Sequence, residues 1–316
     1  MTGRTERKLS GVLVLDKPRG PTSHDVVARL RKKLGTREIG HCGTLDPMAT
    51  GVLVAALGEA TKLAPYLTLA DKSYDATLAL GVETDTLDAE GRETARTEVP
   101  PPTLAALEKI RKGEAPVELL GALAIEQART AQIPPAYSAI KKDGKPSYAR
   151  ARRGEAQELE PRPVAVRSLK LLDGGIDPSP WLAVELHVSK GYYVRSLARD
   201  IARGLGTVGH LTALRRTASG GFTLSEALPL DTPGDELEAR IIPLERAAER
   251  ALPALVLTAH AAREARFGRP VPLEDAGDVA HGPHAWFDPA GHLVAIGECD
   301  AEGVGHVVRG FSQPMP

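Results

Sequence analysis

Residues 40–51 read Gly-His-Cys-Gly-Thr-Leu-Asp-Pro-Met-Ala-Thr-Gly, and they place one carboxylate, that of Asp46, in a glycine-rich loop. The glycines permit backbone torsions and close approaches that a side chain would forbid, so the loop can admit a bulky planar ligand. Pro47 restricts Asp46 to extended geometry, and catalytic groups need such fixed positions. We therefore expect Asp46 to be a catalytic carboxylate; an ordinary Asx turn is the alternative.

Predicted strands and helices flank this loop on both sides. An apolar run predicts a strand over Gly11–Asp16, and helical spacing of apolar residues predicts a helix that begins near Thr22-Ser23 and ends at Gly35. After the loop, a strand is predicted over Val52–Leu57 and a helix over Glu59–Leu69. Alternation of apolar and polar residues predicts two further strands, over Tyr74–Leu80 and Leu182–Val188. A helix over Leu197–Leu205 is predicted to follow the second strand.

Composition places the chain among ordinary globular proteins. It has 316 residues, 26% charged and 42% hydrophobic, with a formal net charge of -1. Local charge is more informative, because two basic clusters fit phosphate contacts confined to one face, although a solvated helix face would explain either cluster alone. The clusters are Arg29, Arg31, Lys32, Lys33 and Arg37, and Lys141, Lys142, Lys145, Arg150, Arg152 and Arg153.

The cysteines and apolar runs bear on the cellular setting. Cys42 and Cys299 lie far apart and form neither a disulfide framework nor a metal spacing, so we expect a reduced, cytoplasmic environment. No run approaches the roughly 18 apolar residues of a membrane span. His41 beside Cys42 has no partner pair with ligand spacing elsewhere, so no metal is expected.

The C-terminal part has its own pattern of elements. Pro233–Arg250 is predicted to connect two domains. Beyond residue 252, a strand over Ala254–Leu257 and a helix over Ala261–Phe267 precede two apolar runs, His292–Ile296 and Val304–Val308. This pattern predicts a small barrel or sandwich, and a simple capping domain is the alternative.

Four motifs together resemble the TruB family of tRNA pseudouridine synthases over about residues 10–245. They are Gly11-Val12-Leu13-Val14-Leu15-Asp16-Lys17-Pro18 with Gly20 and Thr22-Ser23, the Asp46 loop, Lys72-Ser73-Tyr74, and Ser189-Lys190-Gly191-Tyr192-Tyr193-Val194-Arg195 with Leu214-Arg215-Arg216 downstream. The resemblance implies an α+β fold with a mixed, largely antiparallel sheet. It implies a catalytic domain over 1–245, an RNA-gripping insertion at about 105–155, and a PUA-like RNA-binding module over 252–316.

The resemblance also implies the reaction. Uridine 55 in the T-arm of tRNA, flipped out of its loop, would be isomerised to pseudouridine without a cofactor. Asp46 would be the catalytic carboxylate, and Arg195 would pair with it, although Arg195 could instead contact a phosphate. Tyr74 would stack on the base and is a candidate for the final proton removal from C5, with a half-buried core position as the alternative. Tyr193 would line the pocket.

Five residues are expected to bind substrate on the same grounds. His41 would contact the displaced RNA, Leu214 would form an apolar wall, and Tyr192 would be a neighbour of the pocket. Lys17 would shape the pocket, and Lys141 ends the segment Ile133–Lys141, which is similar to the family's tRNA-gripping insertion. We expect tRNA as the partner, a monomer, and neither a protein partner nor a membrane.

Three other functions share some of these features. A guide-dependent pseudouridine synthase would keep the catalytic core but lack the insertion around Ile133–Lys141. A non-catalytic RNA-binding protein would keep the basic clusters, but nothing would retain both Asp46 and Arg195. An aspartate-dependent hydrolase would release free uracil or a cleaved ester.

Overall fold

The computed structural model describes residues 9–114, 116–138, 141–142, 145–146, 159–272 and 282–312. The chain forms two compact units. The terminal unit contains Met1–Leu45, Val52–Ala70 and Ser219–Pro316, and the central unit contains Asp46–Gly51 and Asp71–Ala218. Residues Asp46–Gly51 therefore belong to a different unit from the residues on either side of them.

Strands and helices are interspersed along the described chain. The strands are β1 (Gly11–Lys17), β2 (Ile39–His41), β3 (Thr50–Leu57), β4 (Lys72–Leu80), β5 (Val82–Thr84), β6 (Glu93–Arg96), β7 (Ala131–Gln132), β8 (Lys141–Lys142), β9 (Lys145–Pro146), β10 (Arg162–Pro163), β11 (Val166–Gly175), β12 (Trp181–Val188), β13 (Gly209–Ser219), β14 (Phe222–Thr223), β15 (Leu228–Pro229), β16 (Ala254–Val256), β17 (Val271–Pro272), β18 (His284–Phe287), β19 (Leu293–Cys299) and β20 (Val304–Gly310). The α-helices are α1 (Ser23–Leu34), α2 (Ala64–Leu69), α3 (Pro101–Arg111), α4 (Val117–Gln127), α5 (Val194–Gly204), α6 (Gly234–Ala239), α7 (Leu244–Ala251) and α8 (Ala259–Arg266).

Helix α1 in the terminal unit begins and ends where the sequence predicts. The Thr22 hydroxyl accepts a hydrogen bond from the Asp25 amide at 3.1 Å, and the Asp25 carboxylate accepts one from the Thr22 amide at 2.8 Å. This capping box satisfies two amides that the helix itself cannot pair. Gly35 then ends the helix in the left-handed conformation. The apolar face of α1 packs on buried residues of β1 and β3.

The helix predicted over Glu59–Leu69 is wrong in one respect. Residues Gly58–Leu63 form a tighter 3-10 helix, and the α-helix starts only at Ala64. Pro65 lies in the first turn of α2. Because proline has no amide hydrogen, it is favoured at a helix start and disrupts a helix interior.

The C-terminal sheet also belongs to the terminal unit. Its strand order is β16-β18-β19-β20-β17, with β16 parallel to β18 and the remaining pairs antiparallel. Trp286 is fully buried, and Gly297 on the neighbouring strand leaves room for its ring. Buried Ala285 and Phe287 share one core cluster with Val52 and Val54. The boundary near residue 252 stays a prediction.

The central unit is built on strands β11, β12, β4 and β13, in that order. Strands β12 and β4 run antiparallel from the pair Val188–Lys72 to the pair Trp181–Ala79. Alternate residues of β4 and β12 are buried, which confirms the predicted alternation. The first residues of β3, Thr50 and Gly51, pair with β13 in parallel, so the sheet is mixed and largely antiparallel, as expected. Helices α3 and α4 pack on β11, and α5 packs on β4 and α4.

None of the helices in the described ranges combines the length and the apolar character needed to cross a bilayer. Within these same ranges, no group of three or more histidine, cysteine, aspartate or glutamate side chains is arranged to hold a metal ion.

Candidate active site

Asp46 lies in a turn that the main chain closes. Its carbonyl oxygen accepts a hydrogen bond from the Ala49 amide at 3.1 Å. The loop continues into Thr50 and Gly51, which pair with β13, and a β-carbon on Gly51 would collide with the backbone of Arg216. Gly51 also has a φ of 100°, a conformation that glycine adopts without strain. The loop is therefore fixed at its C-terminal end by a close backbone approach, and the Asp46 carboxylate is left available for other contacts.

The Asp46 carboxylate pairs with Arg195 in a forked arrangement. Nε of Arg195 lies 2.9 Å from Oδ2 of Asp46, and Nη2 donates to Oδ1 at 3.4 Å. The Arg195 side chain is 8% exposed and that of Asp46 is 36% exposed. A guanidinium that contacts both oxygens of a carboxylate fixes its orientation and stabilises its negative charge. Arg195 is thus held within the protein, while the Asp46 carboxylate stays partly exposed to solvent.

Three further groups hold the Arg195 guanidinium. Nη1 donates to the Thr86 carbonyl and Nη2 to the Tyr137 carbonyl, both at 2.9 Å. A second carboxylate, that of Asp88, lies 3.8 Å from Nε. Because Arg195 is the second residue of α5 and is bound on several sides, its position is strongly determined.

Asp88 is buried in a turn that is itself tightly bonded. Its Oδ1 accepts from the Thr86 hydroxyl at 2.6 Å and from the Glu90 amide at 3.0 Å. Leu87, between Thr86 and Asp88, has a φ of 61°. This backbone conformation is rare for a residue with a β-carbon and persists where the surrounding structure enforces it. The carbonyl of Leu87 accepts from the Leu211 amide, which ties the turn to β13.

Sequence patterns predict no role for this segment, so Thr86 and Asp88 are missed. The short polar side chains predict local hydrogen bonds. No local pattern links them to Arg195, which comes much later in the chain.

Tyr74 and Leu214 lie in the same unit as Asp46. Tyr74 is on the buried face of β4, opposite Leu186 of β12, and is 9% exposed. Leu214 on β13 is 8% exposed, and its carbonyl accepts from the Thr50 hydroxyl at 3.5 Å. The wall and stacking roles expected of these two residues stay predictions.

The adjacent tyrosines of the fourth motif have different surroundings. Burial raises the pKa of Tyr193, while the nearby Ser138 hydroxyl and Arg195 guanidinium act in the opposite direction. Tyr192 is buried, and its hydroxyl donates to Glu126 at 2.7 Å. Burial and the Glu126 carboxylate raise the pKa of Tyr192 far above its ordinary value, so Tyr192 stays protonated as a donor. Its hydroxyl is committed to the protein interior.

His41 and Lys17 belong to the terminal unit. The rings of His41 and His24 meet edge to face, with centroids 5.0 Å apart. Lys17 is fully buried, and its ammonium group donates to the Pro18 carbonyl at 3.0 Å. Lys141 lies in β8, and its side chain is outside the described part of the structure. The roles expected of these three residues stay predictions.

Two residues of the first basic cluster are bound by main-chain carbonyls. Arg31 donates to Ile39 at 2.7 Å, and Lys33 donates to Leu230 and Thr232 at 3.0 and 2.8 Å. The remaining members of the cluster, Arg29, Lys32 and Arg37, are exposed. Most of the second basic cluster lies outside the described residues.

Two family models match the chain. Residues 31–194 match the family described as TruB family pseudouridylate synthase (N terminal domain), and residues 195–258 match the tRNA pseudouridylate synthase B C-terminal domain. A relative from Opitutus terrae named tRNA pseudouridine synthase B is 45% identical, and the match covers 77% of this chain and 96% of that protein. One of the same name from Ruegeria pomeroyi is 41% identical over 98% of each chain.

Solved structures share the fold. A structure titled "Crystal Structure of a Cbf5-Nop10-Gar1 Complex" contains a chain 26% identical to this one, with a TM-score of 0.71 and coverage of 96% and 84% of the two chains. A chain in "Structure of H/ACA RNP bound to a substrate RNA containing 2'-deoxyuridine" gives a TM-score of 0.68 at 25% identity, covering 98% of this chain and 86% of that one. From the family matches and these similarities, we conclude that the chain belongs to the TruB family of pseudouridylate synthases.

Proposed function

We propose that this protein isomerises uridine 55 in the T-arm of tRNA to pseudouridine, with Asp46 as the catalytic carboxylate. The observation that carries this proposal is the pairing of a buried Arg195 with the partly exposed Asp46 at 2.9 Å. The relatives named tRNA pseudouridine synthase B support tRNA as the substrate.

The reaction rearranges bonds within one nucleotide. The bond from ribose C1′ to uracil N1 breaks, a bond from C1′ to C5 forms, and C5 loses its hydrogen as N1 gains one. Asp46 serves this chemistry either by attack on C1′ or by removing a proton from the ribose to give a glycal. In both routes its negative charge must be aimed at the sugar, and the two contacts from Arg195 supply that aim.

Other residues of the central unit complete the proposed site. A flipped base needs an aromatic surface, and Tyr74 and Tyr193 are the candidates for it. Leu214 supplies an apolar wall that excludes water while the base is detached. Asp88, 3.8 Å from Nε of Arg195, adds a second negative charge next to the guanidinium and helps to hold it in place during the reaction. No cofactor takes part.

The RNA is held by phosphate contacts. The exposed side chains of Arg29, Lys32 and Arg37 in the terminal unit, together with Lys141 in the insertion, are the proposed cationic partners. His41 contacts the displaced RNA, and Tyr192 supports the shape of the site. The protein acts as a monomer, without a protein partner, on cytoplasmic tRNA.

The test uses a tRNA transcript labelled with tritium at uracil C5. The wild-type protein should release one equivalent of tritium per tRNA, because pseudouridine formation expels that hydrogen. Asp46→Asn should bind the tRNA with similar affinity and release none. Absence of release by the wild type, with binding intact, would instead favour a guide-dependent or purely RNA-binding role, and free uracil would indicate a hydrolase.

A further inference from the structure

The side-chain amide of Gln132 clamps the main chain of Tyr193. Its Oε1 accepts a hydrogen bond from the Tyr193 amide at 2.8 Å, and its Nε2 donates to the Tyr193 carbonyl at 3.1 Å. Gln132 is 1% exposed, and its own backbone is fixed by pairing with Arg162 in β10. The clamp is therefore a buried contact with two hydrogen bonds. It joins Gln132 in β7 to Tyr193, the residue directly before α5.

This geometry has specific chemical requirements. A primary amide presents a donor and an acceptor side by side, so it can pair with both backbone groups of one extended residue, as a neighbouring strand would. Tyr193 has φ −106° and ψ 110°, which is extended backbone directly before the helix. A carboxylate would lose the donor, and a thioether would lose both bonds.

The rest of this region is held by other contacts. Arg195 is bound by Asp46 and by the Thr86 and Tyr137 carbonyls. Helix α5 is tied to the same segment as Gln132, because Ser196 and Arg199 both donate to the Ile133 carbonyl, at 2.9 and 3.2 Å. Loss of the Gln132 amide would thus leave Arg195 and α5 anchored. It would release chiefly the Tyr193 amide, because the Tyr193 carbonyl also accepts a hydrogen bond from the Leu197 amide at 3.1 Å.

From these contacts we infer that Gln132 is a positioning residue that sets the direction of the Tyr193 ring in the catalytic site. The inference rests on the proposed function, in which Tyr193 lines the pocket of the flipped base. Gln132 acts without touching the substrate, by restricting the backbone from which the Tyr193 side chain projects. A misplacement of about 1 Å near reacting atoms can cost about 100-fold in rate.

The first variant is Gln132→Met, which preserves length and removes both hydrogen bonds. Gln127→Met is the matched control. Gln127 is the last residue of α4, its side chain is exposed, and the substitution makes the same chemical change. Under single-turnover conditions with saturating tRNA, Gln132→Met should release tritium about 10- to 100-fold more slowly, with the Kd for tRNA within about threefold of wild type. Gln127→Met should match the wild type in both.

A double-mutant cycle separates positioning from a merely structural role. In a Tyr193→Ala background the ring is absent, so Gln132→Met should slow the reaction by less than about threefold further. An equal loss in both backgrounds, or a Tyr193→Ala variant as fast as wild type, would overturn the inference.

Should Gln132→Met fail to fold, Gln132→Asn replaces it in the cycle, since the shorter amide stays polar but cannot reach both groups. Wild-type protein that releases no tritium contradicts the proposed function itself. An active wild type with an equally active Gln132→Met contradicts only the role of Gln132.

Discussion

Nε of Arg195 lies 2.9 Å from Asp46 and 3.8 Å from Asp88, so one buried guanidinium is shared by two carboxylates from separate turns of the central unit. Asp46 keeps an exposed side, whereas the Asp88 side chain is 7% exposed. The two carboxylates therefore differ in accessibility. Asp46 is accessible to a substrate, whereas Asp88 can act only through Arg195.

Replacing Arg195 by lysine should show how much the forked geometry matters. A lysine keeps the charge but cannot bind Asp46 and the Thr86 and Tyr137 carbonyls at once, so polar groups are left unpaired. We expect tritium release to slow by about 100-fold and the free energy of unfolding to fall by about 1–3 kcal/mol. Arg203→Lys on the same helix, whose side chain is 59% exposed, is the control and should leave both measurements close to wild type.

Asp88→Asn should slow the reaction without weakening tRNA binding. The variant keeps an oxygen for the Thr86 hydroxyl and the Glu90 amide but removes the charge beside Arg195. A single-turnover assay should show a loss of about tenfold or more, because the guanidinium is then less firmly held. Glu90→Gln, an exposed carboxylate in the same turn, should have no effect. Equal rates for the two variants would remove Asp88 from the site.

The exposed basic side chains of α1 and the following turn should govern the salt dependence of tRNA binding. Neutralising Arg29, Lys32 and Arg37 to glutamine should weaken binding and reduce the slope of log Kd against log salt by about one for each phosphate that is no longer neutralised. Lys33→Gln is the informative control, because the Lys33 ammonium group already binds the Leu230 and Thr232 carbonyls and its side chain is less exposed than the other three. It should lower stability while leaving the salt slope unchanged.

Asp288 should contribute a pH-dependent stabilisation of the terminal unit. Burial opposes ionisation, but hydrogen bonds from the His292 amide and from Arg266 prevail and lower the pKa of Asp288 below its ordinary value. A lowered folded pKa gives stability that is present above the unfolded value and is lost as pH falls through the folded value. Urea unfolding should show wild type about 1–3 kcal/mol more stable than Asp288→Asn at neutral pH.

That difference should shrink as pH falls through the lowered pKa of Asp288, because the carboxyl is then protonated in the folded state as well as in the unfolded state. A gap between wild type and Asp288→Asn that stayed constant over this range would show that the charge of Asp288 is not its cause.

Gly297 should be intolerant of even one added carbon. A β-carbon there would overlap the ring of Trp286, which is 1% exposed and cannot move aside without disturbing the core. Gly297→Ala should lower the free energy of unfolding by about 1–3 kcal/mol in urea titrations. Gly310→Ala on the adjacent strand, where a β-carbon meets nothing within 4 Å, should be nearly neutral. The reverse order of the two variants would contradict the packing described for this sheet.

Local sequence patterns predict the strands and helices well, because each of these elements depends on residues that are close together in the chain. The capping box at Thr22 and the alternation in β4 are of this kind. The break between the 3-10 helix and α2 is missed by the predicted helix over Glu59–Leu69, although it has a local signal, because Pro65 marks a helix start.

The partners of the site cannot be read in this way. Asp88, Thr86 and Gln132 matter because the fold brings them against Arg195 and Tyr193, and each would pass in sequence as an ordinary turn or strand residue. The Asp46 loop is recognisable only because many of its residues match a family motif together. Contacts between residues far apart in the chain depend on the packing of the whole unit, which no local spacing encodes.

The membership of Asp46–Gly51 in the central unit limits how the protein can be divided. A fragment spanning Asp71–Ala218 would carry Tyr74, Asp88 and Arg195 but would lack Asp46, the carboxylate that pairs with Arg195. The proposed catalytic centre therefore cannot be cut out or grafted as one contiguous piece of chain. Any minimal enzyme must either retain the polypeptide on both sides of this loop or supply the six-residue segment as a separately joined part.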